Sequence, residues 1–343
     1  MKIETDYTLE KLNTFGINAK AALFAELQSE DEIRELFADE KFKQSKKLLI
    51  GGGSNTLFTA DFNGIVVLNK LKGITVLENN AETIKIKVMG GEIWNDFVNF
   101  SVEHGYWGVE NLALIPGTVG AAPMQNIAAY GAELKDSLDS LEAFEIETGE
   151  KKIFSKDECK LGYRESIFKN ELKGKYFISA VVFILAKKGK TNADYGSLSE
   201  YMRKNNIIIN GPKDISDAVS AIRRSKLPDP KILGNAGSFF KNVFVDKDTS
   251  RKLSDAFPET PLFEEEGSVK IPAGWLIEQC GPATGQSWKG YREGNVGVHE
   301  KHALILVNYG GASGKEVIEL AKKIIASVKE KFGLELIPEV NII

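Results

Sequence analysis

The period of apolar and polar positions changes from stretch to stretch along the chain. Ile84, Ile86 and Val88 alternate with Thr83, Lys85 and Lys87, the two-residue period of a strand with one face in a core. Ile93, Phe97 and Val98 follow at helical spacing and predict a helix that buries all three. Ser29-Glu30-Asp31-Glu32 has the form of a capping box and opens a short helix that buries Ile33, Leu36 and Phe37. Ser313-Gly314-Lys315-Glu316 repeats that form. The helix it starts carries Val317, Ala321, Ile324, Val328 and Phe332 on one face and closes at Gly333. Leu48-Leu49-Ile50 reads as an apolar strand, residues 65–68 as another, and residues 338–343 as a terminal strand. Strands and helices mix without a βαβ period, repeats or low-complexity linkers, so the fold class is α+β.

Length and charge narrow this picture. The 343 residues, 43% of them hydrophobic, suffice for two or three domains with their own cores. A net charge of −4 gives no global field toward nucleic acid or an anionic membrane. The longest apolar run, residues 178–186, is far short of the ~20 residues of a membrane span. The first residues include Lys2, Glu4 and Asp6 and lack a signal-peptide pattern. Cys159 and Cys280 have no metal or redox spacing, which fits a reduced, cytoplasmic chain.

Two glycine-rich stretches carry candidate chemistry. Gly51, Gly52 and Gly53 run through Ser54 and Asn55 toward another strand-like stretch, so no helix opens as a dinucleotide fingerprint requires. What remains is either a loop whose bare N–H groups converge on an anion or a tight glycine turn. Residues 111–133 are nearly uncharged, rich in Gly and Ala, and include Ile115, Pro116, Gly117, Gly120, Gln125, Asn126 and a lone Tyr130. That stretch suits either a large flat ligand with polar edges or a small-residue packing seam. Residues 310–316 lack the spacing of a phosphate loop, His299 to His302 lack the H-E-x-x-H pattern, and Ser238 lacks a nucleophile elbow.

Taken in order, several segments resemble one family, the UDP-N-acetylenolpyruvoylglucosamine reductases. They are Asn13-Thr14-Phe15-Gly16, residues 51–55, residues 115–131, and residues 162–169, which include Tyr163 and Arg164. Lys226-Leu227-Pro228-Asp229-Pro230, residues 234–242, Ala273-Gly274-Trp275 and Pro338-Glu339-Val340 complete the series. The resemblance spans almost the whole chain. Residues 193–198, with Tyr195, resemble the tyrosine-bearing loop of the type I branch, which folds over the substrate.

The resemblance implies a vanillyl-alcohol-oxidase-type FAD-binding fold followed by a smaller α+β substrate-binding domain. The corresponding division is 1–219 (lobes of about 1–70 and 71–219), 220–327, and a returning segment 328–343. It implies NADPH-dependent, FAD-mediated reduction of the enolpyruvyl group of a UDP-sugar to UDP-N-acetylmuramate, by a cytoplasmic monomer without nucleic-acid or membrane partners. Gly51, Gly52, Gly53, Ser54 and Asn55 would hold the FAD pyrophosphate. Ile115, Pro116, Gly117, Gly120, Gln125 and Asn126 would line the flavin. Arg164 would grip the substrate carboxylate with its planar fork, Ser238 would give a proton to carbon, and Glu339, protonated, would complete the catalytic set. Tyr163, Tyr195, Lys226 and Asn242 would bind substrate, Lys226 at the diphosphate. Ala121, Ala122, Ala128, His302 and Asn341 depart from common family residues. Another FAD oxidoreductase of this fold, or a nucleotide-sugar binding protein without turnover, are the alternatives.

Overall fold

The computed structural model describes residues 1–189, 193–265 and 267–343. They form two compact units. The first comprises Met1–Tyr7, Ala21–Gly52 and Asn63–Ser225; the second comprises Thr8–Lys20, Gly53–Phe62 and Lys226–Ile343. Thr8–Lys20 and Gly53–Phe62, placed in the FAD-binding region by sequence, thus cluster with the C-terminal unit. That unit also runs on past residue 327 without a break.

In the first unit a four-stranded sheet has the order Glu4–Thr8, Lys20–Leu27, Phe62–Asn69, Lys47–Ile50, the last two strands parallel. Helix Glu30–Ala38 buries Ile33, Leu36 and Phe37 as its spacing predicts. Ser29 Oγ accepts from the Glu32 N–H at 3.2 Å, but the Glu32 carboxylate accepts from the Gln28 N–H at 2.7 Å rather than from Ser29, so the box closes one residue early.

A five-stranded antiparallel sheet follows, ordered Lys151–Ser155, Leu138–Glu145, Tyr176–Ala186, Thr83–Met89, Ile74–Asn79. Ile84, Ile86 and Val88 point into the core, while Lys87 reaches Glu142 at 2.6 Å. The long apolar run of the sequence is the central strand of this sheet. Helix Trp94–Glu103 buries Trp94, Phe97 and Val98. Ile93 is a correction: it is the extended N-cap residue and 43% exposed, so Trp94 takes the buried place.

The second unit holds a sheet ordered Gly234–Ser238, Ile305–Asn308, Val296–Val298, Arg292–Glu293, and a three-stranded sheet ordered Val243–Val245, Ser268–Ile271, Phe263–Glu265. Helix Gly314–Phe332 has the full capping box, with Ser313 and Glu316 each bonding the other's backbone, and ends at Gly333 with φ 69°. The terminal strand is shorter than expected: Asn341–Ile342 pairs in parallel with Thr56–Leu57, and Pro338 bridges to Phe240.

Candidate active site

Two glycine-rich segments read separately from the sequence meet in the first unit. A Cβ on Gly51 would lie 2.2 Å from Thr118 Oγ1, and one on Gly52 would lie 3.0 Å from Gly117 Cα. Only glycine lets these backbones approach so closely. Thr118 Oγ1, beside Gly51, is buried and has no hydrogen-bond partner among the described residues. Sequence reasoning passed over Thr118; its place in Pro116-Gly117-Thr118 was the available signal. Beyond Gly52 the chain enters the second unit, where Gly53 has φ 60° and a Cβ would lie 1.9 Å from Leu12 O.

The second glycine stretch is partly seam. A Cβ on Gly120 would lie 3.0 Å from Gly90 Cα, Gly90 O and Ile178 O, so its bare face is filled by protein. Ile115 packs on the core and Pro116 is exposed. Asn126 is buried, and its amide protons go to Glu133 Oε2 (2.7 Å) and Gly162 O (3.0 Å). Its amide therefore clamps the loop that carries Arg164. The Ser166 hydroxyl donates to Met124 O at 2.7 Å and fastens the same loop again.

Arg164 itself has φ 55°, in the left-handed region, and its Nη1 and Nη2 both lie 3.5 Å from Ala128 O. Five of the seven non-glycine residues with positive φ among those described, Leu114, Asn126, Tyr130, Lys160 and Arg164, fall between residues 114 and 164. Strain of that kind concentrates where geometry matters more than stability. Tyr163, 43% exposed, lies beside the guanidinium, whose carbon is 6.0 Å from the ring centre. Tyr195, also exposed, N-caps helix Gly196–Lys204 and meets Tyr130 edge-on at 5.8 Å.

In the second unit the backbone of Glu339 pairs with Phe239, the residue after Ser238. Ser238 ends strand Gly234–Ser238 after Gly237 with φ 70°, where the pairing register with Ile305–Asn308 shifts. The Phe239 N–H donates to Leu304 O at 2.7 Å, and the Glu339 N–H donates to Phe239 O at 2.8 Å. Phe239 and Phe240 are buried and fix this corner. The N-terminal Asn13-Thr14-Phe15-Gly16 braces it: the Asn235 N–H donates to Thr14 O at 3.0 Å, and the Phe15 ring meets Phe239 at 6.4 Å. The Asn55 amide donates to Glu339 O at 3.4 Å, and the Asn341 amide donates to Asn55 O at 2.9 Å.

Lys226 is exposed. Asn242 Oδ1 accepts from the Ala273 N–H at 3.2 Å and so caps helix Ala273–Glu278. His302 has its pKa lowered, first by burial and further by the charges of His299, Lys226 and Lys289, with Glu278 opposing. Its buried Nδ1 has no partner among the described residues.

Residues 229–343 match the model of the UDP-N-acetylenolpyruvoylglucosamine reductase C-terminal domain, and residues 21–153 match an FAD binding domain. The UDP-N-acetylenolpyruvoylglucosamine reductases of Flavobacterium johnsoniae and Amoebophilus asiaticus are 45% and 46% identical to this chain, each over 100% of both chains. The chain belongs to the UDP-N-acetylenolpyruvoylglucosamine reductase family. The Thermus caldophilus UDP-N-acetylenolpyruvylglucosamine reductase structure aligns over 100% of this chain and 99% of its own at a TM-score of 0.67 and 21% identity. A solvent-stable cholesterol oxidase aligns over 98% and 86% at 0.50 and 11%. The fold is the vanillyl-alcohol-oxidase-type FAD fold with mixed helix and strand.

The residues present fit FAD. In this member of the reductase family, the seam of Gly51 and Gly52 on Gly117 and Thr118 leaves bare backbone and one unspent hydroxyl, which suits phosphate oxygens. Ala121 lies against Gly51, 3.3 Å from where a Cβ would be, so no side-chain hydroxyl from position 121 reaches that seam. Ala122 is buried, Ala128 acts through its carbonyl, and Asn341 holds Asn55; these departures keep structural duties. Among the described residues, no helix is long and apolar enough to cross a membrane.

Proposed function

We propose that Arg164, Ser238 and Glu339 are the catalytic residues of this chain. The protein is an oxidoreductase that uses FAD and NADPH to reduce UDP-N-acetylenolpyruvoylglucosamine in peptidoglycan precursor synthesis. Bound FAD supplies the two-electron chemistry between NADPH and the enolpyruvyl double bond. Arg164, preset by its left-handed backbone and the clamp from Asn126, grips the substrate carboxylate and holds the charge that gathers there during reduction. The Ser238 hydroxyl gives its proton to the neighbouring carbon. Glu339 in its protonated form donates a hydrogen bond, where an ionised carboxylate would repel the developing charge.

Lys226 neutralises the diphosphate, and Tyr163, Tyr195 and Asn242 complete the substrate contacts. Gly51, Gly52, Gly53, Ser54 and Asn55 hold the FAD pyrophosphate, with Gly117, Ile115, Pro116, Gly120, Gln125 and Asn126 along the flavin. The protein works as a monomer in the cytoplasm, which light scattering and cell fractionation test.

The observation that supports the reading is the backbone bond from Glu339 to Phe239, the residue that follows Ser238 in the chain. The test follows flavin absorbance in two stages: bleaching by NADPH, then return of colour on adding the enolpyruvyl substrate. Ser238→Ala should bleach normally and regain colour slower by about 10²–10⁴-fold, the loss typical of a missing general acid. Recovery within a few-fold of wild type would remove Ser238 from the role.

A further inference from the structure

Leu114 has φ 56°, in the left-handed region, just before the stretch that runs through Ile115, Pro116, Gly117 and Thr118. In that conformation Cβ crowds the following carbonyl oxygen, so leucine takes it only where its surroundings impose it.

The surroundings are the start of helix Trp94–Glu103. Backbone bonds tie it to the far end of the stretch. The Trp94 N–H donates to Gly117 O at 3.1 Å, the Val119 N–H donates to Glu92 O at 2.9 Å, and Ile93 bridges to Thr118. At the near end the contacts come from side chains. The Trp94 indole N–H donates to Leu112 O at 2.9 Å, and Asn95 Oδ1 accepts from the Leu114 N–H at 2.6 Å. Trp94 has a second duty in the core, where its ring packs on Phe97 and Phe183. Asn95 is only half-buried, and its bond falls on the strained residue itself. Asparagine is also a poorer helix former than alanine, so the helix gains nothing from it at this position.

We propose that Asn95 is a positioning residue for the FAD site: its amide oxygen fixes the Leu114 N–H and so keeps the left-handed turn that delivers residues 115–118 to the cofactor. The proposal rests on the reading of that stretch as part of the FAD site. Without the bond, Leu114 relaxes toward extended backbone in part of the FAD-free population. FAD affinity then falls in proportion to the fraction left competent.

The FAD-free protein is titrated with FAD, with quenching of flavin fluorescence as the readout, at a temperature where circular dichroism shows each variant folded. Asn95→Ala removes the acceptor and favours the helix; it should raise the FAD Kd by about tenfold or more, the effect of an N–H left without its partner. Asn95→Asp keeps an acceptor oxygen at the same reach and should stay within about threefold of wild type. Leu114→Gly has no Cβ to oppose the turn, and added to Asn95→Ala it should recover about threefold or more of the lost affinity. Val102→Ala thins the core near the other end of the same helix; it should lower the Tm while leaving the FAD Kd within about twofold.

A folded Asn95→Ala protein whose FAD Kd stays within about threefold of wild type overturns the proposal. So does an Asn95→Asp protein that binds FAD no better than Asn95→Ala, or a Val102→Ala protein that weakens FAD as much, since either result makes the effect one of general stability. Should Asn95→Ala not fold, Asn95→Leu takes its place with the same limits. Thr118→Ala separates this proposal from the reading beneath it. Weaker FAD binding in Thr118→Ala with unchanged binding in Asn95→Ala sinks the proposal alone, whereas unchanged binding in both removes the stretch from the FAD site.

Discussion

An alanine at position 51 sets a methyl group into the seam between the two glycine-rich segments. Its Cβ would lie 2.2 Å from Thr118 Oγ1, 3.3 Å from Ala121 Cβ and 3.4 Å from Thr118 Cβ. Non-bonded heavy atoms settle at roughly 3.5 Å, so the hydroxyl alone is more than about 1 Å too close. Turning the Thr118 side chain off its rotamer costs about 0.5–1.5 kcal/mol, and general overpacking about 1–3 kcal/mol. A loss of about 2 kcal/mol is expected for Gly51→Ala, a fall in Tm of roughly 4–8 °C for a domain of this size. Thr118→Ala removes the colliding oxygen, and the remaining carbon contacts are tight but tolerable.

In the Thr118→Ala background, Gly51→Ala should therefore cost no more than about 0.5 kcal/mol, a coupling of roughly 1.5 kcal/mol. Urea unfolding of the four FAD-free proteins measures the cycle, and quenching of flavin fluorescence measures FAD affinity in parallel. Both single variants should bind FAD more weakly, because both disturb the proposed phosphate cradle. Stabilities that add within about 0.3–0.5 kcal/mol would refute the contact and the cradle built on it.

Lys226→Ala should raise KM for the nucleotide sugar by an amount worth about 1.5–3 kcal/mol while sparing flavin reduction by NADPH; equal damage to both half-reactions in stopped-flow would contradict a diphosphate contact. His302 has a folded-state pKa below its unfolded value, so its stabilising contribution is complete above the unfolded pKa and fades as pH falls through the folded one. Urea midpoints measured from pH 8 to pH 5 should drop less steeply in His302→Gln than in wild type. Ser313→Ala deletes a complete capping box and should lower stability by about 1 kcal/mol, seen as a Tm lower by roughly 2–4 °C.

What the sequence made legible was local. The helices after Ser29 and Ser313 follow from caps and spacing that act within one or two turns, and the alternation at residues 83–88 follows from a single sheet face. Ile93 misled because an apolar N-cap residue fits helical spacing without belonging to the helix. The grouping of Thr8–Lys20 and Gly53–Phe62 with the C-terminal unit was hidden, since it depends on contacts with strands far along the chain. The candidate site divides in the same way. The glycines at 51, 52 and 117 stood out by lacking side chains, but that they face one another is a property of the fold. Thr118 carries no signal beyond its place in Pro116-Gly117-Thr118; its significance comes from burial and from the glycine brought beside it.

The tie between residue 55 and the segment around Glu339 has a consequence for the timing of synthesis. Asn55 is bonded to Glu339 and Asn341 across separations of 284 and 286 residues. At translation rates of about 5–20 residues per second, the strand Thr56–Leu57 waits roughly 15–60 s for its partner Asn341–Ile342 to be made. Residues 63–225 emerge during that interval and are free to build the first unit's core, while Thr8–Lys20 and Gly53–Phe62 stay without their own. Nascent chains halted before residue 338 should accordingly protect the first unit from protease and leave those two segments open to cutting, with the Ser238–Glu339 corner absent until the end.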